Sequence, residues 1–208
     1  MTDSYGATLR QLRGIAENLI AGPQYRASGT VRLAVRPAGF SGTTLPVEVQ
    51  GSDLVWPEGR VPLTGTVAQI ARAAGLRAGP PEGSYKIVDP LSPNAPLDID
   101  PGVAADVYLS LYAGGQALVE FTPDQHPVLW PEHFDVAVTA GEVNYGVSPG
   151  DGFHAGPYAY VGPWKLPEPG GGFWNAPFGA FAPLDVAQPE HDLVAGIVEF
   201  FERGRSRV

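Results

Sequence analysis

The segment from Phe134 to Ser148 constrains the fold of this chain more than any other. Apolar and polar side chains alternate along it on both sides of Ala140-Gly141. If these two residues form a hairpin loop, Thr139 pairs with Glu142, and all other pairs follow from that register. One face of the hairpin then carries only apolar side chains: Phe134, Val136, Val138, Val143, Tyr145 and Val147. The pattern predicts two antiparallel strands with one face on a hydrophobic core.

The opposite face of this hairpin gathers polar side chains: His133, Asp135, Glu142, Asn144 and Ser148. Alternation along a strand puts His133 and Asp135 on the same side, and the assumed register places Ser148 opposite His133. Two interpretations stay open. The alternation favours the solvent-exposed side of an antiparallel sheet, whereas the convergence of these groups would also suit a small ligand or a metal ion.

Four further segments have the apolar spacing of amphipathic helices. They are residues 7–21, which Gly22-Pro23 would end, and residues 66–74, 101–120 and 190–203. Asp100 is expected to cap the third helix, with Pro101 in its first turn. The third helix is extended through Gly114-Gly115 because its apolar period continues there, although glycine lowers helix propensity.

Short segments at 30–36, 47–50 and 54–56 have the composition of strands. Because strands and helices do not alternate regularly, the sequence predicts an α+β fold, with an antiparallel sheet and about four helices packed on it. The chain contains 27 Gly and 22 Pro, so many loops are expected. A single domain over residues 1–208 is predicted, with one weak candidate subdivision at 79–83.

Composition excludes several classes of protein. The absence of cysteine rules out disulfides, thiol catalysis and cysteine-bound zinc. No apolar run has the length of a signal peptide or a membrane span, so a cytoplasmic protein is expected. Residues 81–200 contain sixteen acidic side chains against two basic ones. This acidity disfavours nucleic acid and anionic membranes as partners. It is typical of a solvated surface that aids solubility, and it would also suit a cation or a basic partner.

Two short motifs match a catalytic or nucleotide-binding pattern only in part. Gly146-Val147-Ser148-Pro149-Gly150 matches the nucleophile elbow of serine hydrolases, but Pro149 has no N–H to contribute to an oxyanion hole. The glycines of residues 150–156 have neither the spacing nor the following helix of a nucleotide-binding loop. No nucleotide or haem signature occurs in the sequence.

A third motif is His133-Phe134-Asp135 together with a later histidine, His154 or, less suitably, His191. Two histidines and one carboxylate form the facial triad that holds a divalent metal such as Fe(II). This pattern supports a metal-dependent enzyme with His133, Asp135 and His154 as ligands.

The glycine- and aromatic-rich stretch 167–183 has two interpretations. Its rings could form a lid over a ligand, with Tyr158, Tyr160 and Trp164 as a wall. They could instead pack onto the sheet to bury apolar area. The rings concerned are Phe173, Trp174, Phe178 and Phe181.

The sequence as a whole favours a non-catalytic protein that binds a small ligand or a protein partner through residues 130–181. The candidate binding residues are His133, Asp135, Asn144, Ser148, Tyr158, Tyr160, Trp164 and Trp174. The metal-dependent enzyme is the first alternative. A structural protein that self-associates, for example as a homodimer through apolar helix faces, is the second.

Overall fold

The computed structural model describes residues 4–165 and 172–208. Its antiparallel strands and helices confirm the α+β class. The chain divides into two compact units, residues 4–108 with Leu129–Phe134 and residues 109–128 with 135–208. Residues 79–83 lie inside the first unit. This division does not decide whether the chain is a single domain, which stays a prediction.

The first unit is built on consecutive antiparallel strands. They are β1 (Leu33–Arg36), β2 (Gly39–Gly42), β3 (Glu48–Gln50), β4 (Asp53–Trp56) and β5 (Gly59–Pro62), and Leu129 of β6 (Val128–Trp130) pairs with Leu33 on β1. Phe40, Val49 and Leu54 point into the core of this unit. The sequence did not predict β2 and β5, because both begin at glycine, which is depleted in strands.

The N-terminal helix is longer than predicted. It runs as α1 (Ser4–Ile15), a π-helical turn (Ala16–Ala21) and α2 (Gly22–Ser28), so Gly22-Pro23 does not end it. In the π-helical turn the Gly22 N–H donates to the Glu17 carbonyl, five residues back. Pro23 has no N–H to donate within this continuous helix, and the Asn18 carbonyl, five residues back, accepts from the Gly79 N–H instead, at 3.1 Å. Gly29, with a φ of 75°, ends the helix.

The next two helices begin at side-chain caps, of which only the one at Asp100 was predicted. Helix α3 (Val67–Ala73) starts at a capping box of Thr66 and Gln69. Helix α4 (Pro101–Phe121) follows Asp100, whose carboxylate accepts from the N–H groups of Gly102 and Val103. Within residues 4–165 and 172–208, no helix is both long enough and apolar enough to cross a bilayer.

The second unit has four antiparallel strands and the last helix. The strands are β7 (Asp135–Ala140), β8 (Val143–Ser148), β9 (Tyr158–Pro163) and β10 (Ala180–Pro183), paired in that order, and the helix is α5 (Glu190–Arg205). One face of these strands packs on helices. A Cβ at Gly114 of α4 would lie 2.6 Å from the Val147 Cβ, and one at Gly204 of α5 would lie 2.8 Å from a Val161 methyl group. Glycine thus allows close approach of helix and sheet.

The predicted hairpin exists, but its register was wrong. Thr139 pairs with Asn144, and the loop residues are Gly141 and Glu142, with φ angles of 58° and 65°. A turn of this kind has positive φ at both loop positions, so Glu142 takes the left-handed conformation beside Gly141. Because the partner moves by two residues, the strand positions keep their predicted faces.

The predicted strand position of His133 was also wrong. Residues 131–134 form a turn, β7 begins only at Asp135, and Phe134 has a φ of 55°. Strand alternation therefore does not relate the side chains of His133 and Asp135. The exposed His133 side chain lies next to Glu132, with 3.9 Å between Nε2 and the carboxylate.

Candidate functional site

The face of β7–β10 that points away from the helices carries two carboxylates surrounded by rings. We call this set the acidic–aromatic cluster. Its members are Asp135, Asp151, Phe153, His154, Tyr158, Tyr160, Phe178 and Phe181. All of them belong to the second unit. The cluster contains several of the predicted binding residues.

The inner part of the cluster depends on a glycine. Tyr160 on β9 pairs with Gly146 on β8, and its ring lies across that glycine, so a Cβ at Gly146 would meet the ring at 2.5 Å. From there the Tyr160 hydroxyl donates a hydrogen bond to the buried carboxylate of Asp135 on β7. The small residue on the middle strand therefore lets a tyrosine reach a carboxylate one strand further away.

The outer part of the cluster is a turn organised by Asp151. One carboxylate oxygen accepts from the N–H groups of Phe153 and His154, at 2.8 and 3.1 Å. The other accepts from the Tyr158 hydroxyl at 2.7 Å. Ser148, which is buried at the end of β8, accepts from the Gly150 N–H at 3.1 Å and helps to shape the start of this turn.

The rings of the cluster contact one another edge to face or at a tilt. The centroid of Phe153 lies 4.9 Å from those of Phe178 and Phe181 and 6.0 Å from that of Tyr158. His154 packs against Tyr158 and Phe181 at 5.7 and 5.6 Å. Phe153 is 42% exposed, and Asp151 is exposed as well. Ring surface and a carboxylate thus face solvent side by side.

The electrostatic environment of the two tyrosines is negative. Burial raises the pKa of Tyr160 well above its usual value, and the charges of Asp135 and Asp151 raise it further. Burial also raises the pKa of Tyr158, and the hydrogen bond to Asp151 adds to the effect. The carboxylates of Asp135 and Asp151 raise the pKa of both tyrosines. Both hydroxyls therefore remain protonated donors at neutral pH.

Four predicted binding residues meet in or beside this cluster: Asp135, Ser148, Tyr158 and Tyr160. Four others do not. His133 belongs to the first unit. Asn144 lies near the hairpin turn, about 13 Å along β8 from Ser148, and its side chain accepts from the Thr139 hydroxyl at 2.7 Å. Trp164 is exposed beside Asn144, and Trp174 packs on Phe173.

The aromatic stretch 167–183 serves two purposes, and its part at 167–171 lies outside the described residues. Phe178 and Phe181 join the cluster, and Phe181 lies in β10, so this end is a strand and not the predicted loop. Phe173 packs instead on Phe200 of α5, with ring centroids 5.4 Å apart, and beneath Arg203 and Arg207. Phe173 is therefore packed for burial.

The structure does not form the metal site predicted from His133, Asp135 and His154. Within residues 4–165 and 172–208, no three His, Asp or Glu side chains are placed to hold a metal ion. The Nδ1 atom of His154 lies 2.9 Å from the Gly156 carbonyl oxygen. A metal cofactor stays a prediction from the sequence, and the geometry adds no support to it.

Sequence reasoning gave too little weight to Gly146, Asp151 and Phe153. Gly146 could have been noticed as a glycine inside a strand, which often marks close approach of another group. Asp151 between two glycines is a typical turn residue, since its side chain bonds to nearby backbone N–H groups. No sequence pattern shows where the ring of Phe153 points.

Comparison with known protein families, curated proteins and solved structures found no match to this chain. A functional interpretation therefore depends on the chemistry of the residues themselves.

Proposed function

We propose that this protein is a non-catalytic binding protein for a small organic cation, and that the acidic–aromatic cluster is its binding site. The observation that carries the proposal is the pairing of carboxylates with rings. Asp151 is exposed beside the partly exposed ring of Phe153. An ammonium group is attracted both to a carboxylate and to the face of an aromatic ring. The acidity of residues 81–200 acts in the same direction.

Binding is a better match than catalysis for the tyrosines of this site. A tyrosine that acts as a base or a nucleophile must lose its proton. The raised pKa values of Tyr158 and Tyr160 oppose that loss. Each hydroxyl donates to a carboxylate and so fixes its orientation. We infer that these carboxylates form a preorganised acceptor for positive charge. We also propose that the protein acts in the cytosol without nucleic-acid or membrane partners.

The proposal is tested with choline and with 3,3-dimethylbutan-1-ol, which has the same shape without the charge. Affinities are measured by two-dimensional NMR titration of the full chain. We expect choline to bind roughly five- to thirtyfold more tightly, because a cation–π contact contributes about 1–2 kcal/mol. Equal affinity for the two probes would contradict a cation site, and so would an absence of choline binding.

Variants assign the charge effect to the cluster. In Asp151→Asn the choline affinity should fall by roughly fivefold, the range of a partly exposed ion pair. Glu199→Gln is the matched control, since it removes one exposed acidic charge from α5 of the same unit. If both variants lose affinity equally, the attraction comes from overall charge, and the proposed site is wrong.

A further inference from the structure

The first unit contains a separate pocket of about 330 Å³ on the outer side of its strands. Ser41, Glu48 and Val55 lie side by side there, because β2, β3 and β4 pair Ser41 with Glu48 and Glu48 with Val55. Phe40 and Val49, one residue away along their strands, point to the core instead. The pocket thus has a floor made by one row of neighbouring strands.

Contacts on two sides fix the walls of the pocket. The side-chain oxygen of the buried Gln24 accepts from the N–H groups of Thr43, Thr44 and Leu45, at 2.7, 2.9 and 3.3 Å. These bonds fix the loop that brings Leu45 to the pocket. On the other side, the Trp56 ring lies over Gly59, where a Cβ would be 3.0 Å from it. The pocket is therefore preformed.

Ser41, which lines the pocket, has a buried hydroxyl without a hydrogen-bond partner among the described residues. Ser41 is 4% exposed, and its Oγ makes no hydrogen bond within the described part of the chain. Such a group loses its hydration on folding and gains no bond in return, which destabilises the folded state. A ligand that hydrogen-bonds to Ser41 would remove this penalty.

The same pocket has two opposite charges that are only loosely paired. The Arg36 Nε and the Glu48 carboxylate oxygen are 3.8 Å apart, well beyond the roughly 2.8 Å of a charge-assisted hydrogen bond. Both side chains are partly exposed. Each can therefore accept a charged group of a ligand: Arg36 a carboxylate, and Glu48 an ammonium group.

We propose that this pocket binds a small zwitterion of the amino-acid type, with an ammonium group, a carboxylate and a short apolar side chain. Arg36 and Glu48 bind the two charges, and Ser41 hydrogen-bonds to the charged end. Leu45, Val55 and Trp56 contact the apolar side chain. A volume of 330 Å³ is at the lower end of the range for small-molecule sites, which favours a compact ligand. The site is independent of the acidic–aromatic cluster.

The probe is L-leucine, titrated into the full chain and followed by two-dimensional NMR. We expect a dissociation constant on the order of 1 mM, with shifts at Ser41, Val55 and Trp56. Leucinamide lacks the carboxylate and N-acetylleucine lacks the ammonium group, so each should bind at least tenfold more weakly. Equal binding of either analogue, or an absence of shifts at these three residues, would overturn the proposal.

Two variants separate recognition from folding. In Ser41→Ala the affinity for leucine should fall by roughly fivefold while the melting temperature stays equal or rises, because the lost hydroxyl had no partner. A lower melting temperature with unchanged affinity would give Ser41 a structural role and refute its assignment. Glu48→Gln should weaken leucine binding, whereas Glu82→Gln, an exposed acid outside the pocket, should not. Equal losses in both would also refute the site.

Discussion

Gly146→Ala is the substitution that most directly tests how the acidic–aromatic cluster is built. The new Cβ would lie 2.5 Å from Cζ and Oη of Tyr160, which is closer than real contacts allow. The ring must move, and its hydroxyl loses the buried Asp135 carboxylate. Overpacking costs about 1–3 kcal/mol and a hydrogen bond to a charged group about 1.5–3 kcal/mol. Alanine returns about 0.5–1 kcal/mol of strand stability. We expect a net loss of about 2–5 kcal/mol.

The assay is the free energy of unfolding from urea denaturation. Gly162→Ala is the matched control, since it lies on the same face of β9 and its Cβ would meet nothing closer than 3.6 Å. We expect it to stabilise the protein by about 0.5–1 kcal/mol, the strand gain without a clash. In a Tyr160→Ala background, Gly146→Ala should become neutral or slightly stabilising, because the ring is gone. The reasoning is refuted if Gly146→Ala costs the same with and without Tyr160.

Three further substitutions, one of them with a control, test the frame around the sites. Gly114→Ala should cost about 0.5–2 kcal/mol net, because its clash with Val147 outweighs the helix-propensity gain, whereas Gly196→Ala, which meets nothing on α5, should stabilise by about 0.5–1 kcal/mol; equal effects in urea denaturation would contradict this. Gln24→Ala should cost about 3 kcal/mol or more in the same assay, because three backbone N–H groups lose their acceptor, and a loss under 1 kcal/mol would contradict it. Burial raises the pKa of Glu17 above its usual 4.5, so the wild type should lose stability relative to Glu17→Gln as pH rises from about 4.5 through that raised pKa. A pH-independent difference between the two proteins would contradict it.

Glu17 shows why some of this behaviour was not foreseeable from sequence. It is 1% exposed in the π-helical turn, 3.5 Å from the Arg13 guanidinium. A charged residue in an amphipathic helix normally lies on the solvent-exposed face. The wider turn rotates that part of the helix, so the face is no longer set by the α-helical period. Gly22-Pro23 suggested a helix end because both residues disfavour a helix interior, whereas here the helix continues after the π-helical turn.

The hairpin shows what sequence pattern can and cannot determine. Alternation correctly separated the apolar side of β7 and β8 from the polar side, because side-chain direction repeats every two residues. It could not fix the register, since shifting the partner by two residues leaves both faces unchanged. The alternation also favoured a solvent-exposed polar side, whereas Asp135 and Ser148 are buried. Large rings from β9 cover that side, and single-strand patterns do not report what a neighbouring strand supplies.

The most direct test of the proposed function is a measurement of nuclear Overhauser effects between the N-methyl protons of bound choline and the aromatic protons of the protein. If the acidic–aromatic cluster binds the cation, cross-peaks should appear to Phe153 and to its neighbours Phe178 or Phe181. Choline that binds but gives cross-peaks only to rings outside the cluster, such as those of Trp164 and Trp174, would contradict the proposed site.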